Sequence, residues 1–370
     1  MASLSAEERV AFQDSVKRLL ADHSGEADVR RAMDLPQGFD RALWRQLSEL
    51  GVVGLLVDEA YGGVGAGPEE LERVMEEAGA SLLCAPLLSS GVLAAGLIQA
   101  LGDEADKARL LPSIADGSRI ATVALAGPRG GWTAEGVSVN AESHGERSRL
   151  SGKACFVTHG QIADIVLAVA RAPDGLGVFE VEAAASGLGV EALPTFDHTL
   201  RMADLNFTAT PARRLSTARP AWEAVEDALD LARVALAGEQ AGGARRVVEF
   251  TVDYAKTRVQ FGRSIGSFQA IKHMAADILL ESESAISAAR AAARALADGA
   301  PDAKAAISLA GFACADAFVQ VAATAIQMHG GIAFTWAHPA HLYLRRARAD
   351  AQLFGAPHVY RERYLEALGA

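Results

Sequence analysis

Residues 254–269 read YAKTRVQFGRSIGSFQ. An Ala-, Val- and Glu-rich helical pattern runs into Arg258, Phe261 and Gly262 break its period, and a new helical pattern starts after Gly266, so the stretch predicts a helix, a turn and a helix. The turn collects a fixed cation (Arg258), two amides (Gln260 and Gln269), two aromatics (Phe261 and Phe268) and glycines that admit a neighbouring backbone. Such a set suits an anionic ligand with a flat ring system. Taken alone, R-x-Q-F-G reads equally well as a helix hairpin capped by Gly with its phenylalanines in the core.

Outward from the turn the chain is helical on both sides. From Ala212 onward come WEAVEDALDLARVALAGEQAGGARRVVEFTVDYAKTR, QAIKHMAADILLESESAISAARAAARALA and DAKAAISLAGFACADAFVQVAATAIQ. Alanine-rich helices with a wide apolar face pack together as a bundle, here 215–370. Residues 1–118 also predict helices, with Ser5 as a cap, apolar residues at i, i+3 and i+4 in LWRQLSELGVVGLL and PEELERVMEEAGA, and Pro68 opening a helix after the YGGVGAG loop. That loop lacks the strand and acidic partner of a dinucleotide fingerprint and reads as a turn. Between the helical regions, 119–214 switches to a period of two in six short β-branched segments, which predicts an antiparallel sheet or barrel domain. The expected fold is α+β: an N-terminal helical domain, a central antiparallel β domain and a C-terminal four-helix bundle.

With its spacing to Phe268-Gln269, the turn resembles the acyl-CoA dehydrogenase family, flavoproteins that oxidise an acyl thioester to its 2,3-enoyl form. The likeness covers nearly the whole chain. Trp44, Gly51 and Tyr61 to Gly63 follow the family's N-terminal order, although Asp58-Glu59-Ala60 stands where Pro-Glu is usual. The resemblance implies FAD as cofactor, with Arg258, Gln260, Phe261 and Gln269 along its dinucleotide. In SGKACFVTHG it places Phe156 near the flavin ring and Thr158 at the ring edge, where a plain strand with an outward Thr is the alternative. Gln327, Gly330 and Gly331 match a Gln-x-x-Gly-Gly turn that meets the flavin of a neighbouring subunit, which implies an oligomer, usually a dimer of dimers. Upstream, TVALAGPRGGWTAEG keeps little of the family's pocket-shaping segment.

The family's catalytic carboxylate is absent from both of its usual positions. Counting fifteen residues on from Pro339 gives Phe354, and counting 26 back from Arg258 gives Ala232, followed by the expected Arg233. On that helix Glu239 shares a face with Ala232 about 10 Å along the axis, while Asp230 is rotated about 200° away. Neither is a natural substitute: Glu239 is the remaining candidate base, and its favoured reading is a structural or helix-contact acid.

Three functions are compatible with this pattern: an active dehydrogenase with an unusual base such as Glu239, a heteromeric subunit whose paralogue supplies the base, or a non-redox lyase or binding protein on the same fold. The retained flavin set argues against the last, and loss of both base positions favours the heteromer, an arrangement like that of bacterial dehydrogenases of steroid side-chain thioesters. An acyl-CoA substrate and an electron-transfer flavoprotein or similar acceptor are implied.

The remaining composition narrows the partners. Fifty per cent hydrophobic residues over 370 can bury a large core, and a net charge of −11 without long runs offers no footprint for nucleic acid or an anionic membrane. Three isolated cysteines match no metal or disulfide framework and read as thiols of a reducing cytoplasm. The charged amphipathic N-terminus is no signal peptide, and no run of 18 apolar residues occurs. His329, His338 and His341 are close in sequence, but their spacing is not that of a usual metal site, and no metal is expected.

Overall fold

A computed structural model describes residues 6–144 and 147–369. The expected cap at Ser5 lies outside the described residues. The described residues form two compact units, one of Ala32–Gly67 with Cys84–Ala232, the other of residues 6–31, Pro68–Leu83 and residues 233–369. In chain order the helices are α1 (Ala6–His23), α2 (Glu26–Asp34), α3 (Arg41–Glu49), α4 (Pro68–Ala80), α5 (Ala95–Leu101) and α6 (Glu104–Ala115), then α7 (Ala221–Thr257), α8 (Gln269–Ala297), α9 (Ala303–His329), α10 (Ala340–Asp350) and α11 (Pro357–Ala367). Helices α1 and α4 group with the C-terminal helices in the second unit.

The first unit holds the sheet: β1 (Ala121–Ala124), β2 (Asn140–His144), β3 (Arg147–Thr158), β4 (Ile165–Ala172), β5 (Gly175–Glu182), β6 (Leu188–Ala192) and β7 (Met202–Arg214). Its order is β1-β4-β2-β3-β7-β5 with β6 also on β7, and β4 pairs with β5, so the ladder returns on itself as a barrel. Most pairs are antiparallel, as the short connections require. Two pairings depart from the antiparallel expectation: β1 runs parallel to β4 with Ala121 opposite Ile165, and β2 meets β4 in parallel at Asn140 opposite Arg171; the long connections before β4 permit both. Leu150, Ala154, Val157, Val166, Phe179 and Leu205 fill the interior.

In the second unit α7, α8 and α9 share a core of small residues around Val234, Ala237, Ala241, Ala285, Ala289, Ile307 and Ala310. Helix α4 comes so close to α7 that a Cβ on Gly242 would lie 1.8 Å from the Glu76 carbonyl oxygen, and one on Gly79 1.9 Å from that of Glu239. Only glycine fits such a crossing. Four glutamates of α4 are consequently buried, and Arg245 answers Glu76 at 3.0 Å and Glu77 at 3.1 Å. The segment Ala303–Phe334, at a mean hydropathy of 1.6, passes the length and composition test for a membrane span, which contiguous apolar runs did not reveal. Much of it is bundle core, including Ile307, Cys314, Phe318 and Val321. Residues Val259–Gln260 and Arg263–Ser264 form a two-stranded hairpin, β8 and β9, between α7 and α8.

Candidate functional site

In the β unit, Phe156 and Thr158 sit at the end of β3, where pairing with β7 slips between Ala154 and Val157. The slip is a bulge. It places Phe156 at φ +57°, a left-handed conformation that bulky residues seldom adopt, and turns its ring outward to 45% exposure. Asp204 of β7 secures the bulge, accepting the Phe156 N–H at 3.3 Å and pairing with the Lys153 ammonium at 2.7 Å. The Thr158 carbonyl accepts from the Thr122 hydroxyl at 2.7 Å, while the Thr158 hydroxyl has no hydrogen bond among the described residues. The next residue, His159, at φ +55°, meets the Ser89 hydroxyl at 3.0 Å from a π-helical stretch, Leu87–Ala94. Asp204, Ser89 and His159 drew no attention in the sequence because the pairing that gives them work is tertiary.

The segment between β1 and β2 is pinned by a residue the sequence did not single out. The Arg171 guanidinium donates to the carbonyls of Ala134 at 2.7 Å and Glu135 at 3.2 Å.

In the helical unit the turn is presented outward. Phe261 is 92% exposed at φ +52°, its ring edge-on to Phe268 at 6.2 Å, and Arg263 covers Phe268 at 4.0 Å. The backbone is fixed by Arg258 N–H donating to Tyr254 and Ile265 N–H donating to Arg258, at 2.8 Å each. The Arg258 guanidinium is exposed and engages no carboxylate among the described residues. Gln260 donates to its neighbour Val259, and Gln269 lies 3.5 Å from His273. Tyr254 stacks on His329 at 4.4 Å, which brings the end of α7 beside the end of α9. Arg258 and the Gln327, Gly330, Gly331 turn therefore share one end of this unit. Gly330, at φ +65°, closes α9, and a Cβ on either glycine would meet open space.

The three histidines are neighbours in an aromatic cluster. His329 donates from Nδ1 to the Ala325 carbonyl at 2.8 Å, His338 accepts the Ala340 N–H at its Nδ1, and the two rings are 4.5 Å apart. Burial pushes both below the usual histidine range, so they are neutral at pH 7.

The two positions reached by counting in the sequence carry no acid. Ala232 is fully buried on α7, and Phe354 is buried beyond α10 at φ +58°. Glu239 is buried and ion-paired with Arg346, whose Nε also meets Asp350 at 3.1 Å. Its carboxylate is thereby tied to a cation rather than presented to a ligand. Three aromatic residues at positions singled out by sequence, Phe156, Phe261 and Phe354, are in the left-handed region, and such strain gathers at ligand sites.

The helical unit offers an unspent guanidinium (Arg258), a ring bared to solvent (Phe261), two amides and an open glycine turn, donors suited to an anionic ligand with flat rings; the β unit, by itself, offers an outward aromatic and the Thr158 hydroxyl. Residues 6–118 match the family model described as acyl-CoA dehydrogenase, N-terminal domain, and residues 222–369 the corresponding C-terminal domain. The acyl-CoA dehydrogenase IpdE2 of Mycobacterium tuberculosis is 34% identical over 365 residues, covering 95% of this chain and 94% of that one. Among solved structures, the ChsE4-ChsE5 complex of M. tuberculosis is 30% identical with a TM-score of 0.90, over 99% of this chain and 98% of that one. A variant of the Tcur3481-Tcur3483 steroid ACAD is 32% identical at 0.88, over 98% of each.

Proposed function

Because the chain belongs to the acyl-CoA dehydrogenase family, we propose that it is an FAD-binding subunit that desaturates an acyl-CoA thioester only together with a paralogue that supplies the catalytic carboxylate. Arg258 would hold the pyrophosphate, with Gln260, Phe261 and Gln269 along the dinucleotide. Gln327, Gly330 and Gly331 would face the cofactor of a neighbouring subunit, Phe156 would cover the flavin ring, and Thr158 would donate its hydroxyl to the ring edge. When bound, FAD supplies the acceptor for the β-hydrogen and its electron pair.

The observation that supports the heteromer is the chemistry at residues 232 and 354. Taking the α-proton needs a carboxylate about 3 Å from the carbon. Ala232 and Phe354 cannot accept a proton, and both are buried. An active homo-oligomer using Glu239 is disfavoured by that side chain's pairing with Arg346. A lyase or binding scaffold would have no use for the retained flavin set. The likeness to the ChsE4-ChsE5 complex supports a two-chain assembly, with an electron-transfer flavoprotein or a similar carrier as acceptor. Cys84, Cys155 and Cys314 are buried thiols outside any disulfide among the described residues, which suits a reducing cytoplasm.

Co-expression with a Glu-bearing paralogue tests the proposal. The two chains should co-purify with FAD and oxidise an acyl-CoA, and mutation of the paralogue's Glu should abolish the activity. Full activity without the paralogue would refute the heteromer.

A further inference from the structure

The helical unit contains a cavity of about 620 Å³ whose lining includes none of the flavin-motif residues or base positions. It lies among α1, the start of α2, the end of α4, the C-terminal third of α7 and the start of α10. Small-molecule sites run to roughly 300–1,000 Å³, mostly apolar with a few converging polar groups. This cavity has that character. Phe250, Tyr254, Tyr343 and Leu342 supply ring and aliphatic surface. Phe250 and Tyr343 pack at 5.5 Å, and the Tyr343 hydroxyl is fixed by donating to the Ala80 carbonyl at 2.7 Å. These rings are held in place by their own neighbours, so a ligand need not order them.

The charges decide the chemistry of the occupant. Each lining carboxylate already has a guanidinium: Glu26 meets Arg30 at 2.7 Å, Glu77 meets Arg245 at 3.1 Å, and Glu249 meets Arg245 at 3.3 Å and Arg246 at 3.2 Å. No acid is left over for a cationic ligand. Lys17, in contrast, lines the cavity, is exposed at its rim and has no ion pair among the described residues.

We propose that this cavity binds a small molecule with a flat apolar body and a single anionic group, the body lying on Phe250, Tyr254 and Tyr343 and the anion on the Lys17 ammonium. The lining guanidiniums of Arg245 and Arg246 are committed to Glu76, Glu77 and Glu249, and His338 is neutral, which leaves Lys17 as the charge that selects an acid over an alcohol.

The probes are 2-naphthoate and 2-naphthol, titrated by calorimetry into the full-length, FAD-loaded protein with any co-purified partner. Lys17 and Ala21 are both exposed at the rim, so their substitution leaves the core intact. Naphthoate should bind saturably at one site per chain. Lys17→Glu should weaken naphthoate roughly five- to tenfold and leave naphthol unchanged. Ala21→Trp, which puts an indole across the mouth, should weaken both at least tenfold. No saturable binding to the wild type, binding that Ala21→Trp leaves intact, or a Lys17→Glu effect equal for both probes would each overturn the proposal.

Discussion

Replacing Glu239 by Gln separates the two roles open to that residue. The change keeps the shape and removes the charge that faces Arg346, a pair with side chains only 4% and 7% exposed. Removing one partner of a buried ion pair costs about 3–5 kcal/mol. Asp350 remains 3.1 Å from the Arg346 Nε, and Gln can still accept one hydrogen bond, so the loss should be about 2–3 kcal/mol. Arg346→Met should cost more, because it withdraws a shared cation from two buried carboxylates. In urea denaturation of the FAD-loaded protein, followed by circular dichroism, Glu239→Gln should lower the midpoint by about 1 M. Arg346→Met should lower it further. An unchanged midpoint in Glu239→Gln would refute the structural assignment, and loss of dehydrogenation at unchanged stability would make Glu239 the base.

Three further outcomes are expected. Burial, aided by the neighbouring Glu76 charge, pushes the Glu72 carboxyl up to about 8; the folded state therefore holds a proton the unfolded chain has released, and this group's contribution to stability falls as pH rises from about 4.5 to about 8. Glu72→Gln should flatten that slope and be the more stable protein at pH 8, and an identical pH profile in both proteins would contradict the assignment. Arg258→Ala should weaken FAD retention roughly ten- to hundredfold, read from flavin absorbance after gel filtration; equal retention would remove Arg258 from the site. Thr158→Ala should alter the rate of flavin reduction in the assembled enzyme at unchanged thermal stability, and an unchanged rate would show that its hydroxyl does not face the flavin.

The long helices were legible because α8 and α9 are runs of good helix formers bounded by Gly, Asp and Pro. The R-x-Q-F-G turn was legible for the opposite reason, since Phe261 and Gly262 break the period where the chain turns. What the sequence concealed depends on pairing across the chain. The bulge that turns Phe156 outward exists only against β7, and β6, an exposed strand, has too little apolar alternation to announce itself. The fit of Gly79 and Gly242 in the α4–α7 crossing, and the Arg346–Glu239 pair across distant segments, have no local signature. That Ala232 and Phe354 carry no acid was readable by counting alone; the tie that holds Glu239 was not.

The account stands most directly on one measurement: anaerobic bleaching of the flavin in the isolated, FAD-loaded chain, mixed rapidly with straight-chain, branched and steroid acyl-CoAs. The chain alone should stay yellow with every thioester, and the flavin should bleach once a Glu-bearing paralogue is assembled with it. Rapid bleaching by the isolated chain would contradict the claim that it lacks its own base.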